Sequence, residues 1–346
     1  MQDLLVELFD ESWASAAWDI LGPAIPMLAA ITVLAFAARI TWAFGIISFA
    51  PIVIGAIGGY LAANLLVAGF GLVLSLLGAA VMGAWLGLVT AMLLGRLPAH
   101  AQSIATLAMA AAIAPLSRSL PGLSGGSDGI TIAAIIPTGG NLPIFVNLAL
   151  LGAVVVAGAA LDNSWFAIAV RAVRRDQTLA TSMGIQPRAI HAAGFALSGL
   201  LSGVAGAMLV LNSGVASPAT FPISSGFLAL AAVLVGGAYH WSGPLLGSLI
   251  FALPSAMLGQ STPAMLDLAN AVAIIVLLIF LPRGLIDPRD NLRRDARERR
   301  HRRRVINLPP PTPDDSHRRR GSSRGLQSGH ASRLTAAIKR RTGGAP

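Results

Sequence analysis

Cysteine is absent from the 346-residue chain, and charged residues are scarce. The lack of cysteine excludes disulfide bonds, thiolate metal sites and a cysteine nucleophile. Only 12% of the residues are charged, about half of the roughly 25% with which a soluble domain covers its surface, whereas 55% are apolar. The composition therefore indicates a membrane protein.

Lysine occurs once, at Lys339, and the chain contains no G-x-x-x-x-G-K-[ST] motif. It therefore has no P-loop of its own with which to bind ATP. The long apolar stretches also hold almost no Asp, Glu, Lys or Arg, although ion-coupled carriers usually place such residues within their spans. Either the membrane pathway is passive or another polypeptide supplies the energy, and we expect no cofactor in this chain.

Charge-free stretches predict an all-α, polytopic transmembrane bundle of about nine spans. One span needs about 20 apolar residues, and the two longest stretches have room for two and three spans, with breaks near Gly69/Gly71, in 212–226 and in 240–244. The stretches are 20–38, 40–95, 97–117, 129–161, 189–266 and 268–282. The predicted domains are an acidic N-terminal segment 1–22, a permease domain 23–287 and a basic tail 288–346.

The arginines predict that the N-terminus lies outside and the C-terminus inside. Lys and Arg in short loops stay on the cytoplasmic side, and in this orientation only Arg118 falls outside. The first 19 residues hold five acids and no base, so they do not resemble a secretory signal.

The net charge of +10 belongs to the C-terminal tail. Residues 283–346 hold 18 of the 25 Lys+Arg and 6 of the 15 Asp+Glu, which gives this segment a formal charge of +12 and the rest of the chain −2. A basic segment just inside a membrane favours anionic lipid as its partner. No Phe, Trp or Tyr lies among these charges, which argues against nucleic acid. The Pro-rich and Ser/Gly/Arg-rich part after residue 308 is predicted to be disordered.

One long cytoplasmic loop, residues 162–188, is predicted to form a helix with both ends marked. Gly184 suits the left-handed position after a helix, Pro187 suits the first turn of the next helix, and three residues are candidate N-caps. These are Asp162, Asn163 and Ser164. Arg171, Arg174, Arg175 and Thr178 share one face, whereas Val170, Val173 and Ala180 share another. The helix is interpreted either as a solvated juxtamembrane helix or as one that docks into a soluble partner.

An ordered set of motifs over residues 40–287 resembles the M-type permease subunits of branched-chain amino-acid ABC importers. The motifs in the loop are Arg171-Ala-Val-Arg-Arg-Asp176 and Met183-Gly-Ile185, and the motif Gly203-Val-Ala-Gly-Ala207 follows in the next span. The others are Gly45-Ile-Ile-Ser48, Gly58-Gly-Tyr60, Ala105-Thr-Leu107, Leu123-Ser-Gly-Gly-Ser-Asp-Gly-Ile130, Gly243-Pro-Leu-Leu-Gly247 and Leu281-Pro-Arg-Gly-Leu285. The chain departs from the pattern at Pro51, where the family has His, and at 236–240, which puts the solute in doubt more than the transporter class.

The resemblance implies a set of partners. They are a second permease subunit, homologous or identical, two cytoplasmic P-loop ATPases that hydrolyse the ATP, and an extracytoplasmic solute-binding protein. It implies that the loop helix couples ATP hydrolysis to transport through Arg171, Arg174, Arg175, Asp176, Ala180 and Gly184. It also implies a substrate pathway that includes Ser48, Tyr60, Thr106, Gly125, Gly126, Ser127 and Asp128.

The loop Gly122–Gly129 has three interpretations. Gly122-Leu-Ser-Gly125 matches the G-x-S-G of intramembrane serine proteases, but the predicted topology separates Ser124 from His191 and His240 by the thickness of the membrane. Ser127 and Asp128 could instead contact a zwitterionic solute, or Asp128 could simply be the N-cap of the following helix, which the sequence favours.

The predicted function is therefore that of a multi-pass permease subunit in the bacterial inner membrane, which moves a branched-chain amino acid inward and is not itself an enzyme. Urea, short amides and other amino-acid-like solutes are alternatives within the same family. A stand-alone channel or facilitator is the alternative from another class, and a membrane anchor that presents the basic tail is a third.

Overall fold

The structure, a computed structural model, describes residues 24–135, 142–238, 240–258 and 263–280. The segment 1–22, the tail 288–346 and the motif at 281–285 lie outside the described residues. The helices are α1 Ala24–Ala43, α2 Ala50–Val67, α3 Leu72–Leu94, α4 Ala99–Ser119, α5 Pro121–Ser124, α6 Leu142–Asp162, α7 Trp165–Arg175, α8 Gln177–Ser182, α9 Pro187–Ser213, α10 Ile223–Gly236, α11 Gly243–Leu258 and α12 Pro263–Phe280. Two short strands, β1 Ile130–Thr131 and β2 Val215–Ala216, pair antiparallel.

Six helices in the described part of the chain are long and apolar enough to cross a membrane. They are α1, α2, α3, α4, α6 and α9, and α10 is a shorter apolar helix of 14 residues. A polytopic helical architecture is thereby supported. The count of nine spans and the orientation of the termini stay predictions.

The predicted breaks between spans lie where helices end. α2 ends at Val67 and α3 begins at Leu72, with Gly69 between them in the left-handed region at φ 88°. Gly214, at φ 71°, caps α9 before the segment that leads to α10. Glycine is suited to both positions because other residues pay a steric penalty at positive φ.

α9 lies at the centre of the described helices and packs against α1, α2 and α3. Its glycines allow backbones to touch: a Cβ atom added to Gly206 would overlap the carbonyl of Gly55 in α2, and one added to Gly199 would overlap the carbonyl of Gly83 in α3. Helices in membranes use such small residues to approach closely, because dispersion contacts replace the missing hydrophobic driving force. The central helix is therefore held by backbone contacts with two neighbours.

Polar pairs join helices that are distant in sequence. Arg39 near the end of α1 donates through Nη2 to both carboxylate oxygens of Asp162 at the end of α6, at 2.7 and 2.6 Å. This corrects the prediction that Asp162 is a candidate N-cap of the loop helix, because its carboxylate is used in the ion pair. Elsewhere, the amide of Asn147 in α6 donates to Oδ1 of Asn212 in α9 at 2.6 Å.

Candidate functional site

The predicted loop helix is two helices, α7 and α8, separated by Asp176. This residue has extended backbone (φ −158°, ψ 109°), and its Oδ1 accepts hydrogen bonds from the backbone N–H groups of Thr178 at 2.8 Å and Leu179 at 3.0 Å. The prediction of one continuous helix was wrong because Asp176 ends α7 and caps α8, as a short acidic side chain does at an N-cap. Its carboxylate therefore fixes the angle between the two helices.

The apolar sides of α7 and α8 rest on a shared cluster, here called the loop cluster. Val170, Val173 and Ala180 are buried in it, as the sequence pattern predicts for one face of the loop. The other buried members are Phe44, Ile46, Ala169, Ile190 and Phe195. The cluster thus joins both loop helices to the α1–α2 connection and to the first turns of α9.

Gly184 occupies the left-handed position that the sequence predicts, at φ 81°. Its N–H donates to the Thr181 carbonyl and the N–H of Ile185 donates to the Ala180 carbonyl, each at 3.0 Å. These two bonds form a Schellman motif, which satisfies carbonyls at the end of a helix. Pro187 then begins α9, as predicted.

The solvent side of α7 and α8 combines arginines with large apolar side chains. Arg171 and Arg175 are exposed, as are Leu179 (60%) and Met183 (71%); we call these four residues the docking surface. Arg174 is also exposed, and its side chain lies close to Gly45 in the α1–α2 connection. A Cβ atom added to Gly45 would lie 3.7 Å from Arg174 Nε. The sequence reasoning overlooked Leu179 and Met183, although their four-residue spacing places them on neighbouring turns.

Two predicted pathway residues, Ser48 and Thr106, are brought close together. Both are buried, and the backbone N–H of Phe49, next to Ser48, donates to Thr106 Oγ1 at 3.2 Å. Ser48 Oγ accepts from the N–H of Ala50, the first residue of α2, at 3.2 Å. Pro51, where the resembled family has His, is buried in the first turn of this helix.

Tyr60, the third predicted pathway residue in the spans, lies further along α2. Its ring packs against Phe221, with centroids 5.4 Å apart. Its hydroxyl is buried close to Ser117 of α4 but makes no hydrogen bond of acceptable geometry. Tyr60 and the Ser48/Thr106 pair therefore lie on the seam between α2 and α4, here called the α2–α4 seam, and not at one point.

The remaining predicted pathway residues form a tight loop after α5. Gly125, Gly126 and Gly129 all have φ between 69° and 76°, and a Cβ atom on Gly125 would overlap the backbone of Gly129. Ser127 and Asp128 are exposed, and the Ser127 hydroxyl donates to Asp128 Oδ1 at 3.2 Å.

The prediction that Asp128 is the N-cap of the next helix was wrong. Strand β1 begins at Ile130 and pairs with β2, and the next helix begins at Leu142. The strand pairing is a non-local contact, which a local capping pattern does not reveal.

The protease interpretation has no support in the geometry. Ser124 Oγ donates to the backbone carbonyls of Ser117 and Leu120, whereas the ring of His191 stacks on Phe44 in the loop cluster and His240 bonds to Ser242. The serine hydroxyl thus lacks the adjacent base that activates such a nucleophile. Across the described ranges no group of three or more His, Asp or Glu residues could hold a metal ion.

Gln102 in α4 was overlooked by the sequence reasoning, although it lies one turn before Thr106 on the same face. Its side chain is 4% exposed, and its Nε2 donates to the Leu97 carbonyl at 2.9 Å. Its Oε1 is buried and has no hydrogen-bond partner in the part of the chain that the structure describes. The sequence signal for Gln102 was only that of a neutral polar residue in a charge-free span, which does not reveal the unpaired atom.

A family model described as "Branched-chain amino acid transport system / permease component" matches residues 24–281. The high-affinity branched-chain amino acid transport system permease protein LivM of Escherichia coli (strain K12) is 25% identical over 127 residues, which cover 36% of this chain and 28% of that protein. The nucleoside ABC transporter permease protein NupC of Lactococcus lactis subsp. cremoris (strain MG1363) is 30% identical over 181 residues, which cover 44% of this chain and 56% of that protein.

The matched regions thus span about a quarter and about half of the lengths of these two curated relatives. No solved structure matches the chain. The family model, in contrast, covers all of the described helices, from the start of α1 to the end of α12. The chain belongs to the family of permease components of branched-chain amino acid transport systems.

Proposed function

We propose that this permease imports a branched-chain amino acid across the bacterial inner membrane and is driven by two separate P-loop ATPases that bind its docking surface. The observation that carries the proposal is the exposure of Leu179 and Met183 beside Arg171 and Arg175. A merely solvated juxtamembrane helix gains nothing from two large exposed apolar side chains, whereas apolar side chains and arginines are enriched at protein interfaces.

The support beneath the docking surface suits the transmission of force. Asp176 fixes the two helices to each other, and Ala180 is buried in the loop cluster under α8. Because Phe44 and Ile190 belong to the same cluster, a displacement of α8 acts on both the α1–α2 connection and α9. Asp176 would then contribute to coupling mainly as a cap that positions α8.

The outer loop after α5 is the proposed contact for the solute-binding protein or its released solute. Ser127 and Asp128 are exposed there, and Gly129 touches the backbone of the β2 segment. An amino acid is a zwitterion, for which backbone N–H groups and one carboxylate offer complementary partners. The second permease subunit and anionic lipid at the tail 288–346 complete the proposed set of partners.

A nucleoside is the second candidate solute. The observation in its favour is the similarity to a nucleoside transporter permease over 44% of this chain. Urea and short amides remain further alternatives within the same machinery. Membership in a family of transport-system permease components makes a stand-alone channel the weaker alternative.

The test is uptake of labelled leucine and uridine by cells that express the chain with its ATPase and binding-protein partners. Leu179→Ser combined with Met183→Ser should abolish ATP-dependent uptake while leaving the amount of permease in the membrane unchanged, because both side chains are exposed. Thr181→Ala is the matched control, since that exposed side chain on α8 bonds only to its own helix.

A second variant tests the geometry of the loop. Substitution of both Asp176 and Gly184 should also abolish uptake without preventing membrane insertion, because it removes the cap of α8 and the Schellman turn. Normal uptake in either double variant would refute the coupling assignment.

A further inference from the structure

The amide oxygen of Gln102 is a buried hydrogen-bond acceptor that no described residue uses. The orientation of the amide is fixed, because a carbonyl can only accept and the bond to the Leu97 carbonyl requires the N–H side. Exchange of the amide oxygen and nitrogen would therefore lose this bond. Leaving such a group unpaired is costly, so its retention calls for a partner outside the described residues.

The surroundings of Gln102 are polar. Thr106, one turn later on α4, donates through its hydroxyl to the backbone carbonyl of Gln102 at 3.0 Å and accepts from the N–H of Phe49, just before α2. Ser48 accepts one hydrogen bond through its hydroxyl oxygen, and within the described ranges its hydroxyl proton has no acceptor. The unused acceptor, Gln102 Oε1, thus lies one turn before Thr106 on α4. The unused donor, the Ser48 hydroxyl, belongs to the residue next to Phe49, whose N–H bonds to Thr106.

This polar cluster lies on the α2–α4 seam. α4 packs chiefly against α2, and its buried positions Gln102, Thr106 and Ser117 follow one face of the helix. The buried hydroxyl of Tyr60, near Ser117, is a second polar group on this seam without a hydrogen bond. α4 also carries polar residues at seven of its 21 positions, many more than α3, which has two in 23.

We infer that Ser48, Gln102 and Thr106 form a solute subsite in which the Gln102 amide oxygen accepts an N–H or O–H group of the transported solute. The inference rests on the proposed transport function. None of the three side chains is charged, so the subsite binds through dipoles and suits a zwitterionic or net-neutral solute. A structural water held by the same oxygen is the competing outcome of the test.

Two variants distinguish the proposed role of the Gln102 amide oxygen as an acceptor from the structural role of the Nε2 bond to the Leu97 carbonyl. Gln102→Glu keeps oxygen acceptors but loses the N–H that reaches Leu97, whereas Gln102→Met has similar length and no hydrogen-bonding group. Ser103→Ala is the control, because Ser103 neighbours Gln102 on α4 and its hydroxyl bonds only to Ala99 of its own helix. The full transporter is assayed in cells with labelled leucine and uridine as probes, and KM, maximal rate and membrane level are measured for each variant.

The expected result is a rise in KM of about tenfold for Gln102→Met, a change of less than about threefold for Gln102→Glu, and no change for Ser103→Ala. A tenfold change corresponds to about 1.4 kcal/mol, which is the scale of one hydrogen bond. Gln102→Glu should also shift competition toward leucine, because a carboxylate attracts an ammonium group.

Two results would overturn the inference while leaving the proposed function standing. Equal losses in Gln102→Met and Gln102→Glu would assign Gln102 to the Leu97 bond alone, and a KM unchanged in Gln102→Met would assign its oxygen to a structural water. If the unaltered transporter takes up neither leucine nor uridine with ATP, the proposed function fails, and the inference falls with it.

Discussion

The ion pair between Arg39 and Asp162 is predicted to anchor the start of the loop 162–188 to α1. The Asp162 carboxylate accepts two short hydrogen bonds from one guanidinium nitrogen, and the side chains are 11% and 24% exposed. Asp162 is the last residue of α6, three residues before α7 begins. The pair therefore positions the segment from which the docking surface extends.

The magnitude follows from the burial of the pair. Exposed ion pairs contribute about 0–1 kcal/mol, whereas removal of one partner from a fully buried pair costs about 3–5 kcal/mol because the other charge stays uncompensated. For this partly buried pair we expect Arg39→Met or Asp162→Asn alone to cost about 2–3 kcal/mol. The double variant should recover at least about 1 kcal/mol relative to the sum of the two, because neither charge then remains without its partner.

The assay is unfolding of the purified permease in mixed micelles, with the free energy obtained for the four proteins of the double-mutant cycle. Arg118→Met is the control, because Arg118 is exposed and its removal should change the free energy of unfolding by less than about 0.5 kcal/mol. If the two substitutions are additive within about 0.5 kcal/mol, the pair contributes no coupling and the reasoning is refuted.

The glycines give two further predictions. Gly206→Ala should destabilise the permease by about 1–3 kcal/mol, because its Cβ would meet the backbone of Gly55. The control is Gly152→Ala in α6, where nothing lies within 4 Å, and it should be neutral or stabilising. Equal effects of the two substitutions on the free energy of unfolding would contradict the packing argument. At the end of α8, Gly184→Ala should cost about 1–2 kcal/mol at φ 81° and lower uptake, whereas Gly184→Asn should retain most of the uptake; identical uptake by the two variants would show that the left-handed turn is not required.

The positions of the helices were largely predictable from the sequence, because the spacing of charged residues limits where a span can lie. The breaks near Gly69 and before Pro187 were predictable for the same kind of reason, since glycine and proline act locally on the backbone. Val170, Val173 and Ala180 were correctly placed on one buried face by helical periodicity alone.

The contacts that the sequence did not reveal are those between distant segments. The partner of Asp162 lies 123 residues away, and β1 pairs with a strand about 85 residues later, so neither follows from a local pattern. Asp176 was predicted as a helix residue because its neighbours have helical periodicity, yet its side chain competes for the N–H groups that follow it. Gln102 was missed because its significance lies in an unpaired atom, which only a structure displays.

The α1–α2 connection links the docking surface to the proposed solute subsite over a very short stretch of chain. Ile46 is buried in the loop cluster beneath α7 and α8, and Ser48, two residues later, accepts from the first N–H of α2 within the proposed subsite. The next N–H, that of Phe49, donates to Thr106 of α4. A movement of the loop cluster therefore reaches the α2–α4 seam through the four residues 46–49, without having to pass through the tightly packed glycine contacts of α9. In the proposed function, this connection is where an ATP-driven displacement of the docking surface acts most directly on the solute.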